Sequence, residues 1–301
     1  MSEPGKGYTF AMLSALLSGI NYVLGKWVMA DLSPELLVAL IFGLAALIQG
    51  GLMAARGDWK GIRRCTARGW LWVLFFSLFS VVALWTLWTG IKYLDPTVAS
   101  FISRLQTLVT VFLGIALLKD RFHRWEAVGG VVVILGVAVI YASFDLRLSL
   151  WFWIMVASGI SFGVTEVVAK VALRYLEATP LSFIRTLFVA VFFLVWVMLD
   201  GQPLLHLGRT WWGVVAIAVM GPTLARLFYL YALERLDVSK AALVNQVQPL
   251  FVFLVAFLFL GTIPSVREFA GGLLILAGCV ALISGRAGRM IRNGWGRAVN
   301  E

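Results

Sequence analysis

The sequence has few charged residues and almost no cysteine or histidine. Charged residues make up 13% of the 301 positions, whereas 61% of the positions are hydrophobic and the mean hydropathy is +0.93. A soluble domain has about a quarter charged residues, so the polar residues here could not cover a water-exposed surface. Lipid is therefore the expected solvent for most of the surface, and an all-α integral membrane protein is the expected fold class.

The scarcity of reactive side chains excludes several kinds of site. Cys65 and Cys279 lie far apart, and His123 and His206 fall in predicted loops. Since neither a CxxC motif nor a Cys/His cluster occurs, we expect no disulfide framework, no metal and no cofactor. The apolar segments also lack the nucleophile and base that an enzyme would need, so the protein is predicted not to be an enzyme.

Long apolar runs dominate what is present, and they predict ten transmembrane helices. Their approximate bounds are 8–29, 35–54, 70–92, 97–118, 125–143, 151–173, 179–199, 211–233, 238–261 and 268–285. Several runs are separated by a capping or turn residue and a proline, as at Asp95-Pro96 and Ser33-Pro34.

Lysine and arginine are distributed unevenly between the loops on the two sides. Fifteen of them fall on the side that holds both termini, and four fall on the other side. The positive-inside bias then predicts a multi-pass protein of the cell inner (plasma) membrane with both termini in the cytoplasm. Because the net charge of +10 comes from such loops, we expect contact with membrane lipids and no nucleic acid partner.

An internal repeat divides the chain into two halves of five spans. A shift of 142 residues pairs Leu94-Asp95 with Leu236-Asp237, Gln106 with Gln248, and the string Glu-x-x-Gly-Gly-x5-Gly from Glu126 with the one from Glu268. Five is an odd number, so the second half enters the membrane from the opposite face. The predicted architecture is two inverted repeats, 8–143 and 151–285, around a central cavity, followed by a basic cytoplasmic tail, 286–301.

These features together resemble the drug/metabolite transporter superfamily, in particular its ten-helix members with two EamA-type domains. The resemblance rests on Ser18-Gly19-Ile20-Asn21-Tyr22 running to Lys26, Gly163-Val164-Thr165 running to Lys170, the two Glu-x-x-Gly-Gly strings and the two Leu-Asp turns. It implies a basket-shaped helical bundle with a central cavity, often used to export metabolites or amino acids. An arginine that the family often carries in its second helix has its counterpart in Arg185, in the seventh span only.

Ionisable residues inside spans are expensive, so they are expected to face a cavity or a partner. The candidates are Lys26, Arg104, Glu166, Lys170, Arg185, Arg226 and Lys240. Lys26 and Lys240 lie near helix ends, where a lysine can reach the interface. Glu166 either pairs with Lys170, four residues on, or acts as a membrane-embedded proton carrier. Arg185 and Arg226 lie toward the inner side, where they could bind an anionic group of the substrate or form a gate with Glu166.

Other polar and aromatic side chains complete a predicted substrate-binding set. Breaks at Gly221-Pro222 and Pro249 are tolerated where a helix lines a cavity. Trp85 and Trp88 either wall the substrate or pack against lipid, and the repeated glycines indicate close helix packing. The predicted site comprises Asn21, Tyr22, Trp85, Trp88, Arg104, Gln106, Glu166, Arg185, Arg226, Tyr229, Asn245 and Gln248.

The function that these patterns favour is secondary active transport of a small metabolite, amino acid or drug-like solute by a monomer or homodimer, and export is the expected direction. A flippase or exporter of a lipid or lipid-linked anion would use the same architecture and the same arginines. A channel would not need inverted repeats, and linear, non-saturating flux would indicate one.

Overall fold

A computed structural model describes residues 3–56, 59, 62, 65–118, 124–142, 149–201, 210–236, 241 and 244–281. Its helices are α1 (Glu3–Val28), α2 (Pro34–Arg56), α3 (Ala67–Tyr93), α4a (Pro96–Ser103), α4b (Leu105–Leu118), α5 (Arg124–Tyr141), α6 (Ser149–Ala172), α7 (Ala178–Leu199), α8a (Trp211–Ala218), α8b (Arg226–Arg235), α9 (Gln248–Leu260) and α10 (266–281). A π-helical turn, Val219–Ala225, joins α8a to α8b. The predicted tail 286–301 and Lys240 lie outside the described residues.

The all-α membrane fold that composition predicted is confirmed. Seven helices in the described part of the chain are long and apolar enough to cross a membrane, and Val128–Tyr141 and Gln248–Leu260 are shorter apolar helices. A helix lies within each of the ten predicted spans. Whether all ten cross the bilayer stays a prediction.

Short polar caps explain where several helices begin. The Asp95 carboxylate accepts hydrogen bonds from the backbone N–H groups of Thr97 (2.8 Å) and Val98 (3.4 Å), with Pro96 in the first turn of α4a. The Ser33 hydroxyl accepts from the N–H of Leu36 at 3.2 Å at the start of α2. Such caps satisfy N–H groups that have no partner inside the helix, which is essential near a membrane.

Two helices that occupy equivalent places in the halves are interrupted at equivalent residues. Arg104 separates α4a from α4b, and Gln246 and Val247 form a turn directly before α9. Arg104 and Gln246 are related by the 142-residue shift. The repeat is therefore visible in the backbone irregularities as well as in the residues.

Contacts between the halves are reciprocal. Gly19 of α1 faces Phe251 of α9, and a Cβ atom placed on Gly19 would lie 2.8 Å from the Cβ of Phe251. In the other direction Gly163 of α6 faces Val109 of α4b, with a corresponding distance of 2.5 Å. Likewise α3 packs on α6 and α1 on α8b, while α2 packs on its equivalent, α7. Reciprocal pairs of this kind are expected when two repeats are related by an approximate two-fold axis.

The repeated glycines bring α5 and α10 into backbone contact. A Cβ atom at Gly136 would lie 2.7 Å from the carbonyl oxygen of Gly271, and one at Gly278 would lie 2.7 Å from the carbonyl oxygen of Gly129. Small residues allow such an approach, and in lipid the resulting van der Waals contact is a main source of helix association. We call this contact the glycine seam.

Two equivalent lysines bind the C-terminal carbonyl groups of helices. Lys26 Nζ donates to the carbonyl oxygens of Lys92 (2.7 Å) and Leu94 (3.0 Å), at the end of α3. Lys170 Nζ donates to those of Leu233 (2.5 Å) and Leu236 (3.5 Å), at the end of α8b. A cation at the negative end of a helix is favourable, and here it also satisfies carbonyl groups that the helix leaves unpaired.

Alanine substitutions at two glycines, one inside and one outside the glycine seam, are expected to change the stability in opposite directions. Gly136→Ala places a methyl group against the Gly271 backbone, which cannot move as a side chain can, so we expect a loss of about 1–3 kcal/mol. Gly43→Ala is the matched control, because its Cβ would meet no atom within 4 Å and alanine has the higher helix propensity. Thermal unfolding of both variants in detergent would measure the difference. Equal stability of the two variants would contradict the close packing at the seam.

Candidate functional site

A cavity lies between the two halves of the bundle. Its volume is about 150 Å³. Its walls come from α1, α2, α3, Arg104 and α4b in the first half, and from α6, α7, the π-helical turn, α8b, Asn245 and Gln248 in the second. A cavity of roughly this volume accommodates a molecule the size of a benzene ring. The helices of the glycine seam contribute none of the described lining, so the first four helices of each half enclose the cavity.

The structure brings together eleven of the twelve residues that the sequence singled out. The residues that line the cavity are Asn21, Tyr22, Trp88, Arg104, Gln106, Glu166, Arg185, Arg226, Tyr229, Asn245 and Gln248. Trp85 lies outside the cavity. Its Nε1 donates to Glu35 Oε1 at 2.8 Å, and its ring lies 5.9 Å from that of Trp196.

Arg104 is almost completely buried and ties the two interrupted helices together. It has an exposed fraction of only 2%. Its Nη1 donates to the carbonyl oxygen of Asn245 at 2.9 Å, and its Nη2 donates to Gln248 Oε1 at 2.7 Å. A reverse connection runs from Gln246 Nε2 to Thr107 Oγ1 at 2.6 Å. These bonds satisfy polar groups at both helix breaks.

Glu166 lies deep in α6, with 4% of its surface exposed, and it faces the cavity. The pairing with Lys170 that the i, i+4 spacing suggested does not form, because Lys170 donates to the carbonyl groups at the end of α8b. The positive charges that act most on the Glu166 carboxylate are those of Arg226 and Arg104. The carboxylate therefore belongs to the cavity and not to an ion pair along its own helix.

Arg185 and Arg226 share one aromatic ring. The guanidinium carbon of Arg185 lies 5.7 Å from the centroid of the Phe76 ring, and that of Arg226 lies 5.1 Å from it. Arg185 also lies 5.4 Å from the Phe42 ring and donates from Nε to Ser80 Oγ at 2.8 Å. Cation–π contact stabilises each charge, but the two charges still repel each other.

Several buried polar atoms around the cavity have no hydrogen-bond partner among the described residues. They are Asn21 Nδ2 and Oδ1, Trp88 Nε1, Arg104 Nε, Arg226 Nε and Nη2, and Asn245 Oδ1. Buried polar groups are nearly always hydrogen-bonded, so a cluster of unpaired ones indicates a place where a ligand or water binds. Both donors and acceptors are present, and the donors are more numerous.

The π-helical turn of α8 shapes one wall of the cavity. Pro222 cannot donate a backbone hydrogen bond, and the turn around it widens accordingly. Gln49 Nε2 of α2 donates to the Pro222 carbonyl oxygen at 3.0 Å, which pairs a carbonyl group of the turn. Gly221 in the same turn lies against Asn21, since a Cβ at Gly221 would be 2.9 Å from Asn21 Nδ2.

Sequence reasoning missed several residues at the cavity. Ser14 and Ser18 lie on the same face of α1 as the predicted Asn21, and Phe162 lies one turn before Glu166 on the same face of α6. The i, i+4, i+7 spacing of the α1 residues was a readable signal. The supporting role of Phe42 and Phe76 around the arginines carried no signal, because phenylalanine is expected throughout an apolar span.

The described residues contain no group of three or more His, Cys, Asp or Glu that could hold a metal ion. His123 and His206 lie outside these residues. Cys65 and Cys279 are free cysteines, the first half-buried before α3 and the second buried in α10.

A membrane-embedded bundle with a polar cavity between two repeats is typical of a transporter and not of an enzyme. Two successive matches to the EamA-like transporter family cover residues 5–142 and 149–284. The chain belongs to the EamA-like transporter family, and it is a multi-pass membrane transporter. The resemblance seen in the sequence is thereby confirmed.

Individual proteins agree with this assignment. An uncharacterized transporter of Bacillus subtilis, YyaM, is 23% identical over 283 residues, which are 90% of this chain and 91% of that protein. An uncharacterized transporter of Haemophilus influenzae is 21% identical over 84% of this chain and 83% of its own length. A crystal structure with 21% identity aligns over 93% of this chain and 96% of its own with a TM-score of 0.68, which shows that the fold is shared.

The different positions of the two tryptophans predict different effects of substitution. Trp88→Phe removes an indole N–H that is unpaired in the cavity, so we expect ligands to bind about tenfold more weakly. The ligands would be those amino acids, organic anions or organic cations that raise the melting temperature of the purified protein. Trp85→Phe is the matched control. It removes the bond to Glu35 and reduces the ring contact with Trp196, so it should cost about 1 kcal/mol of stability with unchanged affinity. Weaker binding by Trp85→Phe alone would show that the ligand binds elsewhere.

Proposed function

We propose that this transporter moves a small water-soluble solute across the membrane by alternating access through the central cavity. The observation that carries the proposal is the cluster of unpaired polar atoms on a cavity walled by both halves. Relative movement of the halves would then expose one binding site to each side of the membrane in turn.

The size of the cavity favours a small solute over a lipid. A volume of about 150 Å³ is below the 300–1,000 Å³ typical of pockets for drug-sized ligands. A lipid would have to leave its acyl chains outside, in the bilayer. The arginines could bind a lipid phosphate, so a flippase or exporter of a lipid-linked anion is the alternative function.

The remaining parts of the proposal come from the sequence. The excess of Lys and Arg in one set of loops supports an inner membrane protein with both termini in the cytoplasm. Export of a metabolite, amino acid or drug-like solute is the direction that the resemblance implies. Glu166 is the residue whose protonation would couple such transport to a proton gradient, and the protein would work as a monomer or homodimer.

Filling the cavity provides a direct test. Gly221→Leu places a side chain into the cavity beside Asn21, so we expect at least about tenfold slower exchange of solute in proteoliposomes. Gly43→Leu is the matched control, because its added side chain meets open space and should leave exchange unchanged. The solutes would be those that raise the melting temperature of the purified protein in a panel of amino acids, organic anions and organic cations. Equal exchange by both variants would rule out transport through this cavity.

The lipid alternative needs a separate arm with the same proteins. Proteoliposomes containing a fluorescent polyprenyl phosphate would report movement of the lipid between leaflets by quenching with dithionite. Saturable counterflow of a water-soluble solute together with unchanged lipid movement supports the proposal. The flippase function would replace the proposal if the protein moves the lipid, if Gly221→Leu abolishes this movement, and if no solute shows counterflow.

A further inference from the structure

The charges around the cavity do not balance. Among the described residues that line it, three are arginines, at positions 104, 185 and 226, and Glu166 is the only carboxylate. Lys26 and Lys170 do not line the cavity and donate instead to carbonyl groups at helix ends, so they are left out of this balance. The described lining therefore carries an excess of two positive charges. In a membrane interior such an excess is unfavourable unless counter-charges are bound.

The hydrogen-bond donors that the described residues leave unused are concentrated at Arg185 and Arg226. Arg104 already donates to two oxygen atoms that belong to the α9 region, so it has a structural role. Arg226 donates to no described residue, and its Nε and Nη2 are buried. Arg185 donates only from Nε, to Ser80, among the described residues. A guanidinium group has five N–H donors, so most of the donors of this pair are available to a ligand.

The position of the pair makes it suitable for one anionic site. Both guanidinium groups lie within 6 Å of the Phe76 ring, at 5.7 and 5.1 Å from its centroid. Two like charges on one buried ring repel each other, and an anion between them converts this repulsion into attraction. Arginine also matches the planar oxygens of carboxylate and phosphate groups with paired hydrogen bonds.

We infer that the transported solute is a small dianion whose negative groups bind to Arg185 and Arg226 beside Phe76. The inference rests on the proposed function and names the class of its substrate. A monoanion would leave one positive charge uncompensated, and a zwitterion would leave both. The two charges can come from a phosphate monoester or from two carboxylates, which share the chemistry that the arginines recognise.

A series of solutes with one carbon chain and different charge tests this directly. Succinate, butyrate and 4-aminobutyrate have four carbons and net charges of about −2, −1 and 0 at neutral pH. We expect succinate to bind the purified protein at least about tenfold more tightly than butyrate, with 4-aminobutyrate weakest. Ethyl phosphate and phenyl phosphate form the second arm, and tighter binding of these than of succinate would identify the phosphate monoester as the source. Calorimetry or thermal shift would measure the affinities.

Variants of the charged residues separate recognition of charge from general damage. Arg226→Gln lowers the excess of positive charge in the lining from two to one, so the ratio of dianion to monoanion affinity should fall at least about tenfold. A loss of overall stability would not produce this change, because it weakens the binding of both ligands. Glu166→Gln raises the excess to three and should increase the same ratio. Arg267→Gln is the control, since Arg267 is exposed and outside the cavity lining. A ratio unchanged in Arg226→Gln would overturn the inference.

Failure of this inference and failure of the proposed function give different results. If butyrate or 4-aminobutyrate binds as tightly as every dianion, the inference of a dianionic substrate is wrong. If Gly221→Leu still blocks solute exchange in that case, the proposal of solute transport stands. If no dianion binds at millimolar concentration, the inference of a dianionic substrate is also wrong. Movement of polyprenyl phosphate without exchange of any solute would overturn the proposed function itself.

Discussion

The structure depends on one constraint, which is that every backbone polar group inside hydrocarbon must find a partner within the protein. The helices of this chain are nevertheless interrupted at Arg104, at Gln246 and in the turn around Pro222. Side chains from neighbouring helices compensate for the interruptions. Arg104 and Gln49 each donate to a backbone carbonyl group at a distant break. All three of these interruptions lie at the walls of the cavity.

The scaffold is close to symmetric, whereas the chemistry is not. The glycines of α1 and α6, the lysines at 26 and 170 and the interrupted fourth helices of each half all make reciprocal contacts. The cavity charges have no such symmetry, because Tyr22 occupies the place of Glu166 and Leu84 that of Arg226 under the repeat shifts. Duplication thus provides a cavity between the halves, and divergence of a few residues gives that cavity its asymmetric charge.

Most of the fold could be predicted from the sequence, because its signals are local or repeated. Asp95-Pro96 marks a helix start by its capping chemistry, and the glycines at a constant shift mark the seam between α5 and α10. The candidate site was predictable to a similar degree, since polar residues inside a span have few places to go. Eleven of the selected side chains line one cavity.

The sequence could not predict which of several possible partners a side chain contacts, because some of these partners come close only when the helices pack together. Lys170 is four residues from Glu166, but its flexible chain reaches the carbonyl groups of α8b, whose negative helix end competes for the ammonium group. Trp85 and Trp88 lie three residues apart on one helix, yet Glu35 holds the first outside the cavity. The arrangement of Arg185 and Arg226 on Phe76 involves two different halves of the fold and no local spacing.

The glycine seam has a consequence for how members of this architecture can diversify. Its contacts run from backbone to backbone, so they tolerate almost no change of residue, and its helices contribute nothing to the described cavity lining. The residues that line the cavity lie on eight other helices. Mutations that change the cavity lining and mutations that weaken the glycine seam therefore fall on separate parts of the chain, which allows selection to alter the lining without first having to restore the fold.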